Sequence, residues 1–246
     1  MKASLLVTCI VDQLFPQVGV AVVEVLTRLG VEVAFNPAQT CCGQPAFNSG
    51  FRREAREVAA RTLALCEREL ETADYIVAPS GSCTTMVRRY YPELFDGDAE
   101  MKRRAERVAG RFFEFSEFLV DVLKVESVGA SYSGRVTYHD SCHLLRELGV
   151  SAAPRKLLGS VAGVDFVELD GSDQCCGFGG TFAVKYPEIS QAITADKVSK
   201  IRRSGAETVV ACDAGCLMQM AGVLSRDGSA VRCIHLAELL ASGGAS

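Results

Sequence analysis

Nine of the eleven cysteines in this chain fall into a pattern that could do chemistry. The densest stretch is Asp173-Gln174-Cys175-Cys176-Gly177-Phe178-Gly179-Gly180. Neighbouring side chains point apart and a vicinal disulfide is strained, so two adjacent thiols are not both spent on packing. The glycines that follow predict a tight turn whose backbone comes close to something. Cys142 lies upstream beside His139, Asp140 and His143, and Cys212 and Cys216 lie downstream. Five thiols from three loops read as a metal or cluster site, since thiolates ligate both iron–sulfur clusters and structural zinc. Zinc takes four ligands, usually as two Cys-x-x-Cys pairs, so an adjacent pair plus a fifth thiol suits an iron–sulfur cluster better, with zinc as the alternative.

An earlier copy stands at Gln39-Thr40-Cys41-Cys42-Gly43-Gln44, with Cys9 before it and Cys83 after. The spacing is 133 or 134 positions for every pair: Cys9 and Cys142, Cys41 and Cys175, Cys42 and Cys176, Cys83 and Cys216. A repeat this long is a duplicated domain, not a solenoid unit of about 20–50 residues. One position breaks the match, because Pro79 stands where Cys212 would be. The first site, with Cys9, Cys41, Cys42 and Cys83, is therefore expected to be one thiol short. Two domains are expected, 1–128 and 129–246, with a Ser- and Gly-rich hinge near Ser127 to Gly134.

The elements that would carry these thiols alternate. Strand text runs from Ala3 to Thr8, Val31 to Phe35, Tyr75 to Ala78, Arg135 to Tyr138, Val164 to Leu169 and Thr208 to Ala211. Helical spacing runs from Val18 to Leu29, Arg52 to Glu71, Glu188 to Arg203 and Gly215 to Leu224, with Cys83 opening a further short helix. Similar text closes both halves, at Glu114 to Leu119 and His235 to Leu240. Pro92 to Glu100 reads as a polar loop inserted in the first half only, and Ser242 to Gly244 as a frayed tail. The fold class expected is α/β: two tandem domains related by a pseudo-two-fold, each an open, mostly parallel sheet flanked by helices. Each cysteine group then follows a strand, where open α/β sheets place their ligands.

The remaining cysteines, Cys66 in the long helix and Cys233 in a short strand, have no counterparts and read as small buried hydrophobes. His139-Asp140-Ser141-Cys142-His143 invites a Cys/His nucleophile reading. Such catalysis needs one thiol and one base rather than a duplicated thiol set, so the histidines are expected to cap helices or to hydrogen-bond around the cluster. Gly177-Phe178-Gly179-Gly180 lacks the spacing of a dinucleotide fingerprint.

A composition of 48 % hydrophobic and 23 % charged residues is that of a globular protein,. A net charge of −4 argues against nucleic acid as a partner,. There is no run of about 20 apolar residues to span a bilayer, and no cleavable leader pattern. A cytoplasmic location is expected, and in a reducing compartment clustered thiols bind metal or do redox chemistry rather than form disulfides.

Two copies of a cysteine followed some 31–32 residues later by Cys-Cys-Gly, and then by a distal cysteine, resemble the cysteine-rich CCG domain family. Its members include the cysteine-rich component of heterodisulfide reductase and the iron–sulfur component of glycolate oxidase. A chain of this length with no ferredoxin-like segment is most similar to the family's lactate-utilization branch. The resemblance implies an iron–sulfur electron-transfer subunit, part of a system oxidising L-lactate to pyruvate. Its partners would be companion lactate-utilization proteins, one carrying ferredoxin-type 4Fe–4S clusters, and the chain would not act alone. By the same resemblance, Cys142, Cys175, Cys176, Cys212 and Cys216 would hold a non-cubane cluster. The four first-half thiols would then hold a cubane, zinc or an open site. A catalytic subunit of the heterodisulfide reductase type and a zinc-stabilised scaffold are the alternatives.

Overall fold

The computed structural model describes residues 1–243. The chain begins with strand β1 (Lys2–Leu5), then helices α1 (Cys9–Leu14) and α2 (Pro16–Arg28), and strand β2 (Glu32–Phe35). Helices α3 (Gln44–Asn48) and α4 (Arg52–Glu69) lead to β3 (Tyr75–Ala78) and α5 (Gly81–Thr85). A π-helical turn (Met86–Tyr90) carries α5 into α6 (Tyr91–Leu94). Next come α7 (Ala99–Ala109), β4 (Phe112–Glu114) and α8 (Phe115–Glu117), the last extended by a second π turn, Phe118–Val122. The second half runs β5 (Ser131–Tyr138), α9 (Cys142–Leu148), α10 (Ala152–Gly159) and β6 (Ala162–Phe166). It continues with α11 (Phe182–Lys185), α12 (Pro187–Arg203), β7 (Thr208–Ala211), α13 (Ala214–Arg226), β8 (Arg232–His235) and α14 (Leu236–Ala241).

Two four-stranded sheets result, in the orders β2-β1-β3-β4 and β6-β5-β7-β8, with every pairing parallel. The central strands β3 and β7 are almost entirely apolar and buried, as parallel strands covered on both faces must be,. Identical strand order in the two halves is the pseudo-two-fold expected of the duplication, and the α/β fold class stands as read from the sequence.

The halves do not merely abut. In α2, Pro16 occupies the first turn, where its missing N–H costs nothing, and Val18, Val22, Val25 and Leu26 recur at helical spacing,. That stripe packs in one core cluster with Leu236, Leu239 and Leu240 of α14. The equivalent contact is made by α8 with its π turn against α10, through Phe115, Phe118 and Leu119 with Leu157 and Leu158. Each half's closing helix therefore packs on the other half's first long helix, and one shared core joins the two sheets. Two smaller clusters fill the outer faces. Arg28 ties the exchange down by donating to the carbonyls of Val128 and Leu240, at 3.2 and 3.3 Å, and to that of Ala241 at 3.0 Å.

Three expectations need correction. Pro92 to Glu100 is not a polar loop: Pro92 lies in α6, and Ala99 and Glu100 open α7. Tyr91, Leu94 and Phe95 are buried there, so the insertion is a helical pair that enlarges the first half's core. Ser131 to Gly134 is no hinge, because it forms the start of β5 and pairs with β6 across an irregularity that Gly134 accommodates at φ +139°. Ser242 is tied back through its Oγ to Ser131 O at 2.9 Å, and Gly244 lies outside the described residues.

Candidate functional site

At the carboxyl ends of both sheets the loops meet around one cavity of about 150 Å³. Eight thiols line it: Cys9, Cys41, Cys42 and Cys83 from the first half, and Cys142, Cys175, Cys176 and Cys216 from the second. Each set is built in the same way. Cys9 and Cys142 are the first residues of α1 and α9, directly beyond β1 and β5. Cys83 and Cys216 sit in the first turns of α5 and α13, beyond β3 and β7, where helix N-termini favour anionic sulfur,. The adjacent pairs lie in the loops after β2 and β6. Within the sets Cys9 and Cys41 sulfurs are 3.7 Å apart, Cys42 and Cys83 3.4 Å, and Cys176 and Cys216 3.1 Å.

The Cys-Cys-Gly turn has a physical reason at each position. Gly43 and Gly177 are left-handed, at φ +87° and +91°, and their N–H groups fold back to donate to Cys41 Sγ and Cys175 Sγ at 3.4 and 3.3 Å. That turn sends the first sulfur of each pair toward the cavity while the second lies deeper, against the helix behind. Neighbouring helices hold the turn by its carbonyls. Thr62 Oγ1 donates to Cys41 O at 3.2 Å and Tyr91 Oη to Cys42 O at 2.9 Å. In the second half Thr194 Oγ1 donates to Cys176 O at 2.9 Å and Ser190 Oγ to Gly177 O at 2.8 Å. Lys197, almost fully buried, donates Nζ to Gly171 O at 2.6 Å and to Ser172 O at 3.2 Å; burial lowers its pKa to about 8. Sequence reasoning passed over these supports. Ser190, Thr194 and Lys197 do, however, form a polar stripe at positions i, i+4 and i+7 of α12, and that stripe was the available signal.

Cys212 does not line this cavity. The structure leaves it fully buried on the opposite side of β7's end, in the core shared by the two halves, where it accepts a hydrogen bond from Tyr138 Oη at 3.4 Å. Side chains alternate along a strand, so with Ala211 and Cys212 at its end only one of two successive positions can face a given side. The next residue, Asp213, turns to the cavity instead. Its carboxylate crosses to the first half and accepts from Ser80 Oγ at 2.8 Å, Ser82 Oγ at 2.8 Å and Ser82 N at 3.0 Å. Ser80 is itself the cap of α5, accepting from Cys83 N at 3.2 Å. At the cavity itself the halves are matched, each presenting four thiols in equivalent positions. Cys66 is buried in the first half's core and Cys233 flanks the outer cluster of the second; burial pushes each thiol up to about 12. His235 caps α14 through Nδ1, accepting from Ala237 N at 3.1 Å.

Within each set the thiols share protons unequally. Hydrogen bonds from Cys42 and Cys9 pull Cys41 down to about 3, and Cys9 and Cys42 are pushed up in return. In the second half Cys142 and Cys176 pull Cys175 down to about 2, Cys176 draws Cys216 to about 6, and Cys142 and Cys176 rise. Thiols this close favour partial ionisation, the form in which sulfur binds metal. His139, Cys176 and Cys216 offer ligand atoms all within 4.8 Å of one another. Four converging thiols per half, a backbone turn of Cys-Cys-Gly pressed close, and space well beyond one ion fit metal or cluster binding.

A family profile described as a cysteine-rich domain matches the chain twice, over residues 3–88 and 136–221. Curated relatives are similar along the whole chain. Lactate utilization protein A of Geobacillus kaustophilus is 48 % identical over 240 residues, covering 98 % of each chain. The protein of that name from Exiguobacterium is 48 % identical over 242 residues, covering 98 % of each. The one from Bacillus subtilis is 46 % identical over 242 residues, covering 98 % of this chain and all of that one.

Proposed function

Because the chain belongs to the lactate utilization protein A family, built on paired cysteine-rich domains, we propose that it serves lactate utilization as an iron–sulfur electron-transfer subunit. The observation that carries this reading is the pair of equivalent four-thiol sets opening on one cavity. Cys9, Cys41, Cys42 and Cys83 would hold one cluster, and Cys142, Cys175, Cys176 and Cys216 a second. Such clusters relay single electrons at potentials set by ligation and surroundings. Four thiols per set match the four corners of a cubane, and Cys212 in the shared core is left out of both. The residues of this chain hold the thiolates, exclude water behind them and fix their spacing through the Gly43 and Gly177 turns. Among the described residues lining the cavity there is no Arg or Lys to clamp a carboxylate, which favours a relay over direct oxidation of a hydroxy acid. Two-electron chemistry on lactate then falls to companion proteins, one with ferredoxin-type clusters, docking at the cavity's mouth. The division between the two cluster-holding domains falls near residues 128 and 129.

The test is anaerobic reconstitution with iron and sulfide, followed by analysis for iron, acid-labile sulfide and zinc. Iron and sulfide in comparable amounts, and lactate-dependent reduction only with the companion proteins present, are expected. Zinc without sulfide would replace the relay with a structural scaffold. Because both thiol sets face one cavity, a disulfide substrate could reach either, so turnover of a disulfide by this chain alone would favour a reductase.

A further inference from the structure

The two thiol sets differ in one buried neighbour. Leu6 N–H donates to Val77 O and His139 N–H to Val210 O, both at 2.9 Å, so these residues occupy equivalent places just beyond β1 and β5. Leu6 is 3 % exposed and packs in the cluster that contains Cys42 and Cys83. His139 is fully buried, with a ring nitrogen within 4.8 Å of the Cys176 and Cys216 sulfurs. Neither of its ring nitrogens has a hydrogen-bond partner. A buried polar group left so is unfavourable, and leucine at the equivalent place shows that the fold itself does not need one there,. The neighbouring carboxylates do not compete for the imidazole. Asp140 is held by Arg155 at 2.6 and 2.8 Å, and Asp213 by Ser80 and Ser82.

Four thiols already supply a ligand for each corner of a cubane in the second half, so His139 is not required as a ligand. A neutral imidazole carries one N–H, and the sulfurs beside it are acceptors. We propose that His139 donates this N–H to sulfur at the Cys176–Cys216 side of the loaded second-half site. It thereby holds that site at a higher reduction potential than the first-half site, where Leu6 offers no donor. Reduction adds negative charge to the sulfurs, and a donor aimed at them stabilises the charged form. The two sites would then form an ordered pair rather than two equal stores. This rests on the reading that both sets hold clusters.

The experiment uses the full chain reconstituted anaerobically, titrated potentiometrically and followed by electron paramagnetic resonance. Signals are assigned to each half with Cys83→Ser and Cys216→Ser. His139→Leu is expected to lower the second-half potential by about 59 mV, a tenfold change in a one-electron equilibrium, without moving the first. His139→Gln, which keeps an N–H, should recover part of the loss. Leu6→His reads the same effect independently, raising the first-half potential even if His139→Leu loads poorly. Unmoved potentials in variants that carry full iron and sulfide would overturn this inference alone. Strong nitrogen coupling of a ligating imidazole in pulsed spectra would also overturn it. Wild-type protein that binds no iron and sulfide would overturn the cluster reading and this inference with it.

Discussion

Gly177→Ala separates two reasons for a glycine after the paired cysteines: a left-handed backbone and a close approach. At φ +91° an L-residue loses roughly 1–2 kcal/mol,. A Cβ there would also meet Ser190 O at 2.6 Å and Thr194 N at 3.2 Å, with Thr194 Oγ1 closer still. Those backbone atoms belong to α12 and cannot rotate away, so overpacking adds roughly 1–3 kcal/mol. Relief would push the turn off the helix and weaken the Ser190 and Thr194 bonds to Gly177 O and Cys176 O, about 1 kcal/mol each,. The whole comes to about 4–7 kcal/mol. Gly180 is the control: it is also left-handed, at φ +64°, but its Cβ would meet nothing within 4 Å, so Gly180→Ala should cost only about 1–2 kcal/mol,. Urea unfolding of the two apo variants gives the difference, and iron bound after reconstitution reports whether the thiols still converge. Gly177→Ala should lose both stability and iron. Equal costs at the two positions would refute the argument that contact with α12, rather than φ alone, demands glycine.

Other outcomes follow from the same geometry. Cys212→Ala should keep the iron content of wild type while losing about 1–3 kcal/mol, because Tyr138 Oη loses its acceptor, whereas Cys216→Ser should lose iron; equal loss of iron would return Cys212 to the site,. Asp213→Ala strips the acceptor from Ser80 and Ser82 across the halves and should cost about 2–5 kcal/mol, seen as a lower urea midpoint,. Glu114 is fully buried, and burial raises its pKa from 4.5 to about 8, so between those values the folded state holds a proton that the unfolded state has released. Stability from this group is therefore present at low pH and falls as pH rises, by about 2 kcal/mol between pH 6.5 and 8, and Glu114→Gln should flatten that fall. His235 acts in the other direction and lower down. Its pKa is depressed by burial from 6.5 to about 4, so stability is lost as pH falls through that window,. Urea midpoints of wild type and Glu114→Gln that change in parallel from pH 6.5 to 8 would contradict the Glu114 argument,.

The sequence by itself determined the duplication, the α/β class and the eight thiol positions that meet. Strand and helix periodicity are local, and a repeat carries its own register, so Cys9 and Cys142 could be paired without coordinates. It located one asymmetry between the halves, among the thiols. Cys212 against Pro79 looked decisive in the text, yet a residue at a strand's end faces one side or the other, and only the packed sheet shows that Cys212 faces the shared core. Leu6 and His139 were equally available to the alignment of the two halves, but nothing local marks His139 as buried against Cys176 and Cys216 rather than capping a helix. The helical character of Pro92 to Glu100 was hidden because its polar residues face solvent while Tyr91, Leu94 and Phe95 supply the core contacts. The packing of the halves is what opens both thiol sets on one cavity. It depends on α14 packing against α2 and on Asp213 reaching Ser80 and Ser82, contacts between residues more than a hundred positions apart. Such pairings follow from burying both helices' apolar stripes at once, a condition that no single segment of the chain expresses.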